Sequence, residues 1–359
     1  MNAIIHTVGS PFAAFLRSVP KIVGQPSVYP ECRRKNFIRR YFENIILRFR
    51  DGAVCQGYNA LGLDIEGTGL SDFINVQVWL RYQRRLKQIK AIDSTVLLED
   101  KYLFWIFLAA HGLKVVPVLG NKLGGGLFWN GRNVTVEKFI ERLTDSKGFI
   151  VKEPSLMCGQ SVRKIDIVDH RFYEKGKVID ISDMLQKYGE FIIQPIVGNV
   201  DRIGALNSST LNTLRIATCL GKSGEVGLWD PGMIRIGRAG CVVDNFYQGG
   251  IGVGLTENGR LKKYGYSHDH NGLYVKVEEH PDSKIKFDGY SVPCYNEAVQ
   301  LVKSAHLLFP KITTIGWDVA ITADGPVLLE GNHDWDMEML QVVHHQGCRK
   351  RFKEVYGGI

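Results

Sequence analysis

The sequence has no apolar run of the eighteen or so residues that a transmembrane helix requires. Its seven cysteines form no Cys-x-x-Cys pair, which argues against a zinc site or a disulfide framework and favours reduced thiols in a cytoplasmic protein. It has no GxxxxGK[ST] motif, and no GxGxxG opens a predicted helix, which excludes P-loop and Rossmann nucleotide binding. What remains is a chain of 359 residues with 45% hydrophobic and 23% charged residues, typical of a globular protein with two or three subdomains.

Positive charge is concentrated near the N-terminus. Residues 1–92 contain fourteen Lys and Arg against six Asp and Glu, a net charge of +8 that equals the charge of the whole chain. Within this part, Lys35–Arg50 mixes basic and apolar side chains at helical spacing. Such a helix can lie on an anionic membrane surface or hold an acidic ligand, or its apolar side can join the core while the basic residues edge it. We expect no nucleic-acid partner, because no nucleic-acid-binding motif accompanies the charge.

The pattern of apolar residues predicts helices first and strands later in the chain. Helical patterns cover residues 12–50 and 73–92, Asp100–His111, Val136–Leu143 and Tyr295–Leu308. Strand patterns cover Phe149–Lys152, Val162–Val168, Phe191–Gln194, Leu214–Cys219, Met233–Ile236 and a hairpin near the C-terminus. This combination favours an α+β fold in which a helical cap precedes two lobes of mostly antiparallel strands.

The hairpin carries the most informative polar residues. Trp317–Thr322 and Val327–Glu330 alternate with period 2, and the turn between them contains Asp324-Gly325. Pairing of the two strands brings Asp318 beside Glu330 and Asn332. Two carboxylates and an amide oxygen suit a hard cation such as Mg²⁺, which commonly also holds phosphates. The alternative is a solvated hairpin rim.

Lys152 closes an apolar strand, where an ammonium group is costly to bury unless it meets an anion such as phosphate. The small-residue loop behind it contains Gly159, Gln160 and Ser161, whose backbone N–H groups can bind phosphate oxygens. The strand that ends at Gln194 can offer this side chain to an adenine edge, or it can be an ordinary edge strand that stops at Pro195.

Two arginines stand out. Arg215 has apolar neighbours on both sides and needs a bidentate acidic partner, for which phosphate or carboxylate is suitable. Arg238 opens a glycine-rich segment, residues 238–252, that either approaches a ligand closely or forms a surface loop.

The order of these residues resembles the ATP-grasp superfamily. Asp100-Lys101, Lys152 with its loop, Gln194, Arg215 and the closing Asp318…Glu330-x-Asn332 follow the order seen in D-alanine–D-alanine ligases. Within the superfamily, the stretches NSSTLNTLRI and GWDVAITADGPVLLEGN look most like the sugar-transfer-associated group. The resemblance covers roughly residues 93–345 and implies an α+β ATP-grasp fold whose two lobes hold ATP between them.

The resemblance implies roles for most of these residues. Lys101 and Lys152 would contact the ATP phosphates, Gln194 the adenine, and Asp318, Glu330 and Asn332 one or two Mg²⁺ ions. In D-alanine–D-alanine ligases an arginine lies two residues before the first metal-binding aspartate, whereas this sequence has Gly316 there. Arg215 or Arg238 is therefore the expected catalytic cation, and a D-alanine dipeptide is not the expected product.

The expected activity is an ATP-dependent carboxylate–amine ligase that works through an acylphosphate on an amino acid or amine and a sugar acid or glycan precursor. An ATP-grasp kinase and a degenerate nucleotide-binding scaffold are the alternatives. We expect residues 1–92 to form a basic helical region, 93–145 a segment before the ATP-grasp domain, 146–200 its N-terminal lobe and 201–359 its C-terminal lobe. A cytoplasmic protein is expected, with a peripheral place at the inner face of the membrane left open.

Overall fold

The computed structural model describes residues 11–89, 94–155, 162–241, 244, 246, 249–269 and 272–357. The helices are α1 (Pro11–Gly24), α2 (Phe37–Asp51), α3 (Val76–Ile89), α4 (Val96–Glu99), α5 (Lys101–Ala110), α6 (Val136–Thr144), α7 (Ile181–Lys187), α8 (Asp201–Gly204), α9 (Tyr295–Leu307), α10 (Met337–His344) and α11 (Arg349–Tyr356). No helix among these residues is long and apolar enough to cross a membrane.

The strands before residue 200 are β1 (Gly120–Leu123), β2 (Gly126–Trp129), β3 (Arg132–Asn133), β4 (Gly148–Lys152), β5 (Arg163–Val168), β6 (Arg171–Glu174), β7 (Lys177–Ile179) and β8 (Phe191–Pro195). Those after it are β9 (Thr213–Leu220), β10 (Val226–Leu228), β11 (Met233–Ile236), β12 (Ile251–Leu255), β13 (Leu261–His268), β14 (Tyr274–Val277), β15 (Thr314–Thr322) and β16 (Gly325–Asn332).

The chain forms two compact units. The first consists of Met1–Ala91, Leu273–Lys276 and Asp336–Ile359, and the second of Ile92–Gly272 and Val277–Trp335. The division at residues 92, 145 and 200 that the sequence indicates remains a prediction.

The second unit contains two antiparallel sheets, each with its own core. The first sheet has the strand order β3-β2-β1-β8-β4-β5-β6-β7, and its buried face packs with apolar residues of α6 and α7. In the second sheet β13-β12-β11-β9-β15-β16 follow one another, β10 pairs with β9, and α5 and α9 supply the apolar cover. The segment between α5 and β1 joins the sheets, because Val116 N–H donates to Leu328 O at 3.0 Å and Leu119 N–H to Ile193 O at 2.9 Å.

A chain of hydrogen bonds satisfies the polar groups beneath the second sheet. The indole of Trp317 donates to Thr218 Oγ1 at 2.8 Å, and this hydroxyl lies 2.6 Å from Nδ1 of His306. The other ring nitrogen, Nε2, lies 2.9 Å from the carbonyl oxygen of Ile312. Burial lowers the pKa of His306. A neutral imidazole that donates through Nε2 and accepts through Nδ1 satisfies every one of these bonds.

The prediction of helix across residues 12–50 was wrong in its middle. The chain leaves α1 at Gly24 and enters α2 at Phe37, and the stretch between them contains Pro26 and Pro30. Proline cannot donate the helical hydrogen bond and clashes with the preceding turn. Asn36 then caps α2, since its side chain accepts a hydrogen bond from Arg39 N–H at 2.8 Å.

Glu338 on α10 is a buried carboxyl of the first unit that lies against Gly57, where a Cβ would meet Oε1 at 2.6 Å. Tyr274 donates a hydrogen bond to it at 3.3 Å. Burial, reinforced by the negative charge of Asp336, raises the pKa of Glu338 to about 7 from its ordinary 4.5. The folded protein therefore keeps this carboxyl neutral over a range in which the unfolded chain ionises it.

This raised pKa should make stability depend on pH. The contribution of the Glu338 carboxyl to the free energy of unfolding is complete below its ordinary pKa of 4.5 and is lost as the pH rises through about 7. Glu338→Gln should match the parent in acid and exceed it by up to about 3 kcal/mol at weakly alkaline pH. Urea unfolding across the pH range measures this difference, and exposed Glu297→Gln is the matched control. A difference that does not change with pH would contradict the assignment.

Candidate nucleotide and metal site

Asp318 lies on β15, between β9 and β16 in the second sheet, and this strand is buried along almost its whole length. Its neighbours Trp317 and Val319 point into the apolar core, so Asp318 points to the opposite face. Across β9 it is paired with Arg215, and across β16 with Glu330. The predicted juxtaposition of Asp318 and Glu330 is confirmed by this register.

A β-bulge sets that juxtaposition. Val319 pairs with Leu328 but Asp318 pairs with Glu330, so Leu329 is an extra residue in β16. If the two strands of this same sequence paired in unbroken register, Asp318 would face Leu329, and Glu330 would lie opposite Trp317 on the core side. The bulge therefore places Glu330 and the following Asn332 on the same face as Asp318.

Two arginines hold the carboxylate of Asp318. Arg215 is bidentate, with Nε 2.6 Å from Oδ1 and Nη2 3.2 Å from Oδ2. Arg235, on β11, places Nη2 at 2.8 Å from Oδ2. Burial of the carboxylate opposes ionisation, but the two guanidinium groups outweigh it and hold the pKa of Asp318 below its ordinary value. The bidentate partner expected for Arg215 is thus this aspartate.

Arg235 was missed by the sequence analysis, although the same signal was present. It stands in the apolar strand Met233–Ile236 as Arg215 stands in β9. Its Nε and Nη2 lie 3.0 and 2.8 Å from Thr213 Oγ1, and Thr213 donates to Asp244 Oδ2 at 2.5 Å. Burial would lower the pKa of Arg235, but the carboxylates of Asp244 and Asp318 raise it more. The guanidinium group therefore stays charged.

The side chains of Glu330 and Asn332 are half-buried and line a pocket that opens to solvent. Lys101 and Phe104 of α5 form another wall of this pocket. At its rim, His333 Nε2 lies 2.7 Å from Glu99 Oε1. The pocket thus brings one of the predicted phosphate ligands to two of the predicted metal ligands.

Both predicted lysines belong to this region. Asp100 caps α5 by accepting hydrogen bonds from Tyr102 and Leu103 N–H, both at 2.9 Å, which places Lys101 at the first helical position. Lys152 ends β4, and desolvation lowers its pKa, while Glu330 raises it and Lys101 lowers it further. Among the described residues, Nζ of Lys152 has no hydrogen-bonded or ion-paired partner. Binding of an anion to this ammonium group would offset the cost of its desolvation.

The remaining predicted residues are placed differently. Gln194 is buried in β8 and donates to the carbonyl oxygen of Val116 at 3.1 Å. Arg238 is bidentate to Asp282, at 3.0 and 3.2 Å, instead of contacting Asp318. Gly159, Gln160 and Ser161 lie outside the described residues.

The donor set fits Mg²⁺ by its chemistry. Asp318, Glu330 and Asn332 offer oxygen atoms from neighbouring strands, as a hard cation requires. The described residues contain no group of three His, Cys, Asp or Glu that could hold a metal ion, so the amide of Asn332 and phosphate oxygens or water would have to complete the shell. Asp318 would then share its carboxylate between a cation and two arginines.

Gly316 is fixed by a tryptophan. A Cβ at this position would lie 2.4 Å from Cβ of Trp335, whose ring packs against Trp229 at a centroid distance of 5.5 Å and whose Nε1 donates to Thr314 Oγ1 at 3.2 Å. An arginine cannot occupy this position while Trp335 stays in place. The positive charge beside Asp318 comes instead from β9 and β11.

The chain belongs to the sugar-transfer associated ATP-grasp family, which it matches over residues 80–357. The two antiparallel sheets and their helices accordingly form an α+β ATP-grasp fold. No relative was found among the curated proteins.

Solved structures with a similar fold include D-alanyl-alanine synthetase A from Vibrio cholerae, at 12% identity and a TM-score of 0.41, with 73% of this chain and 65% of that chain covered. N5-carboxyaminoimidazole ribonucleotide synthetase from Thermotoga maritima is 12% identical with a TM-score of 0.36, over 74% of this chain and 49% of that one. D-alanine-D-alanine ligase from Coxiella burnetii is 10% identical with a TM-score of 0.36, over 70% and 54%. The chain thus covers less than two thirds of each of these proteins.

The contact between Gly316 and Trp335 can be tested directly. Gly316→Ala should lower the free energy of unfolding by about 1–3 kcal/mol, because the added methyl group overpacks the tryptophan. Thermal melting measures the loss, and Gly198→Ala is the control, since nothing lies within 4 Å of a Cβ there. Equal melting temperatures for the two variants would contradict the close packing at Gly316.

Proposed function

We propose that the chain is an ATP- and Mg²⁺-dependent ligase that joins a carboxylate to an amine and releases ADP and phosphate. The observation that carries this proposal is that Asp318, Glu330 and Asn332 share one face of a hairpin, with Lys101 in the same pocket and Lys152 close enough to interact with Glu330 and Asp318. Membership of an ATP-grasp family supports ATP as the nucleotide. Lys152 has no ion-paired partner among the described residues, so an anionic ligand would complement its charge.

Each residue has a distinct part in this proposal. Lys101 and Lys152 would hold the ATP phosphates, while Asp318, Glu330 and Asn332 would hold Mg²⁺. The bound cation would offset the negative charge of the β- and γ-phosphates. Gln194 and the loop of Gly159, Gln160 and Ser161 are further proposed contacts, to adenine and phosphate.

The arginines would stabilise the charge that develops on the transferred phosphoryl group. Arg215 and Arg235 use Nε and Nη2 on protein partners, and neither Nη1 makes a hydrogen bond to the described residues. These two nitrogens can therefore donate to an anion without releasing Asp318. Arg238 would contribute only by leaving Asp282.

The reaction proceeds in two displacements. A carboxylate oxygen attacks the γ-phosphorus, the bond to the bridging β,γ-oxygen breaks, and ADP leaves an acylphosphate. The amine nitrogen then attacks the acyl carbon, phosphate leaves, and the nitrogen loses its proton to give an amide. Positioning and electrostatics suffice for both steps, so no protein nucleophile is needed.

We propose a sugar acid or glycan precursor as one substrate and an amino acid or amine as the other, in polysaccharide biosynthesis. The description of the family as sugar-transfer associated supports this choice. The described cysteines Cys32, Cys55, Cys219, Cys241, Cys294 and Cys348 form no disulfide with one another, which supports a reducing, cytoplasmic setting.

The reaction type is tested by incubating the protein with Mg-ATP, uronic acids, amino acids and hydroxylamine. We expect a hydroxamate and an equal amount of ADP, because hydroxylamine traps an acylphosphate. Release of AMP would refute the acylphosphate route. A phosphorylated product that is stable to hydroxylamine would indicate the kinase, and binding of ATP without any product would indicate the scaffold.

The metal ligands are tested by comparing two variants. Glu330→Gln should melt like the parent, lose turnover by at least about a hundredfold, and lose the Mg²⁺-dependent rise in melting temperature that ATP produces. Asp318→Asn should also lose stability, because two buried guanidinium groups lose their charged partner, at a cost of about 3–5 kcal/mol. Exposed Glu141→Gln is the control for both. Turnover that survives Asp318→Asn combined with Glu330→Gln would refute the metal assignment.

A further inference from the structure

Helix α2 has both a packed and an exposed apolar surface: Tyr41 and Ile45 pack against Val19 and Val23 of α1, but other apolar side chains face outward. Five large apolar side chains on it are at least 50% exposed: Phe37, Ile38, Phe42, Ile46 and Phe49. At about 100° per residue, Ile38, Phe42, Ile46 and Phe49 fall within one stripe along the helix. Isolated apolar residues are common on protein surfaces, but a continuous stripe of this kind marks an interaction site.

The opposite side of the helix is buried and polar. Its buried residues are Arg40, Glu43, Asn44, Leu47 and Asp51, all but one of them polar or charged. Burying these groups in place of the phenylalanines is costly unless each finds a partner, so the orientation of α2 requires an explanation.

Ion pairs within the first unit hold α2 in this orientation. Lys35 Nζ donates to Glu43 Oε2 at 3.0 Å and to the carbonyl oxygens of Leu63 and Thr68 at 2.8 and 3.0 Å. At the other end of the helix, Asp51 accepts from Arg50 at 2.6 Å and from Arg349 at 3.3 Å. The helix cannot rotate its apolar stripe inward without breaking these contacts.

Basic residues flank the stripe. By the same helical spacing, Arg39 and Arg50 lie beside it on one side and Arg48 on the other. Arg39 is also paired with Glu43 and Glu66, and Arg50 with Asp51. The part of the chain that contains them, residues 1–92, carries the net charge of +8. Exposed apolar side chains between arginines are the pattern of a helix that lies in a membrane interface, where the apolar residues enter the acyl boundary and the cations meet anionic headgroups.

We propose that α2 binds the surface of an anionic lipid bilayer with its apolar stripe. The sequence left open whether the apolar side of this helix joins the core: Tyr41 and Ile45 do so, whereas the residues of the stripe are exposed. The net positive charge of residues 1–92 favours anionic over zwitterionic lipid. This surface does not depend on the ligase reaction and belongs to the first compact unit.

The test is co-sedimentation of the full chain with vesicles of phosphatidylglycerol and phosphatidylcholine, compared with vesicles of phosphatidylcholine alone. We expect binding to the anionic vesicles that weakens with salt. Phe42→Ser combined with Phe49→Ser should lower the vesicle-bound fraction by about tenfold or more, because affinity scales with the apolar area inserted. Both side chains are exposed, so the melting temperature should not fall.

The matched control is Val178→Ser combined with Leu307→Ser, since these side chains are 62% and 57% exposed on β7 and α9. It should bind vesicles like the parent. Absence of binding to anionic vesicles, or equal binding by both double variants, would overturn the proposal. Light scattering gives one more outcome that overturns it: a dimer that Phe42→Ser with Phe49→Ser dissociates, without vesicle binding, would assign the stripe to a second copy of the chain. The hydroxamate assay on soluble substrates should be unchanged by either double variant, which separates this proposal from the ligase.

Discussion

The buried ion pairs between Asp318 and the arginines of β9 and β11 govern the arrangement of the site. A carboxylate buried within a sheet would take up a proton or turn toward solvent if no cation compensated its charge. A lone guanidinium buried there would also raise the free energy of the folded state. Arg215 and Arg235 supply this compensation, because both guanidinium groups contact the carboxylate of Asp318. Nη1 of each arginine makes no hydrogen bond to the described residues. Because all three residues stand on adjacent strands, the backbone ladder of the sheet sets their spacing. The proposed stabilisation of a developing charge would use this fixed spacing of the charged groups.

Alternate residues of β15 point into the apolar core and onto the polar face of the candidate site. Trp317 packs into the apolar cluster and bonds to Thr218, whereas Gly316 and Asp318 belong to the polar face. This division explains why Gly316 must lack a side chain: Trp335 lies over it. In this chain the cations beside the aspartate stand on β9 and β11, and the position two residues before it is a glycine.

The sequence predicted the hairpin and the pairing of Asp318 with Glu330, because period-2 alternation and an Asp-Gly turn are local signals. It also predicted that Arg215 needs an acidic partner, but the partner could not be named, since Asp318 lies 103 residues further along the chain. Arg235 was overlooked although the argument for Arg215 applied to it without change. The partners of Arg238 and Gln194, Asp282 and the carbonyl of Val116, depend on tertiary packing that no local pattern encodes. The amphipathic pattern of α2 could be predicted from the sequence. The direction in which its apolar stripe faces could not, because it depends on the contacts of Lys35 with Glu43 and of Arg349 with Asp51, which only the fold brings together.

The extra residue in β16 has a consequence for how this site can change over evolution. Substitutions leave the face of every side chain as it is. A deletion of Leu329 would remove the bulge and keep Glu330 opposite Asp318, whereas one further residue inserted before Glu330, with the bulge unchanged, would move Glu330 opposite Trp317. Between the turn and Glu330, an insertion is therefore more disruptive than a deletion. In related sequences, one inserted residue within these few positions would separate the two carboxylates even where both are retained.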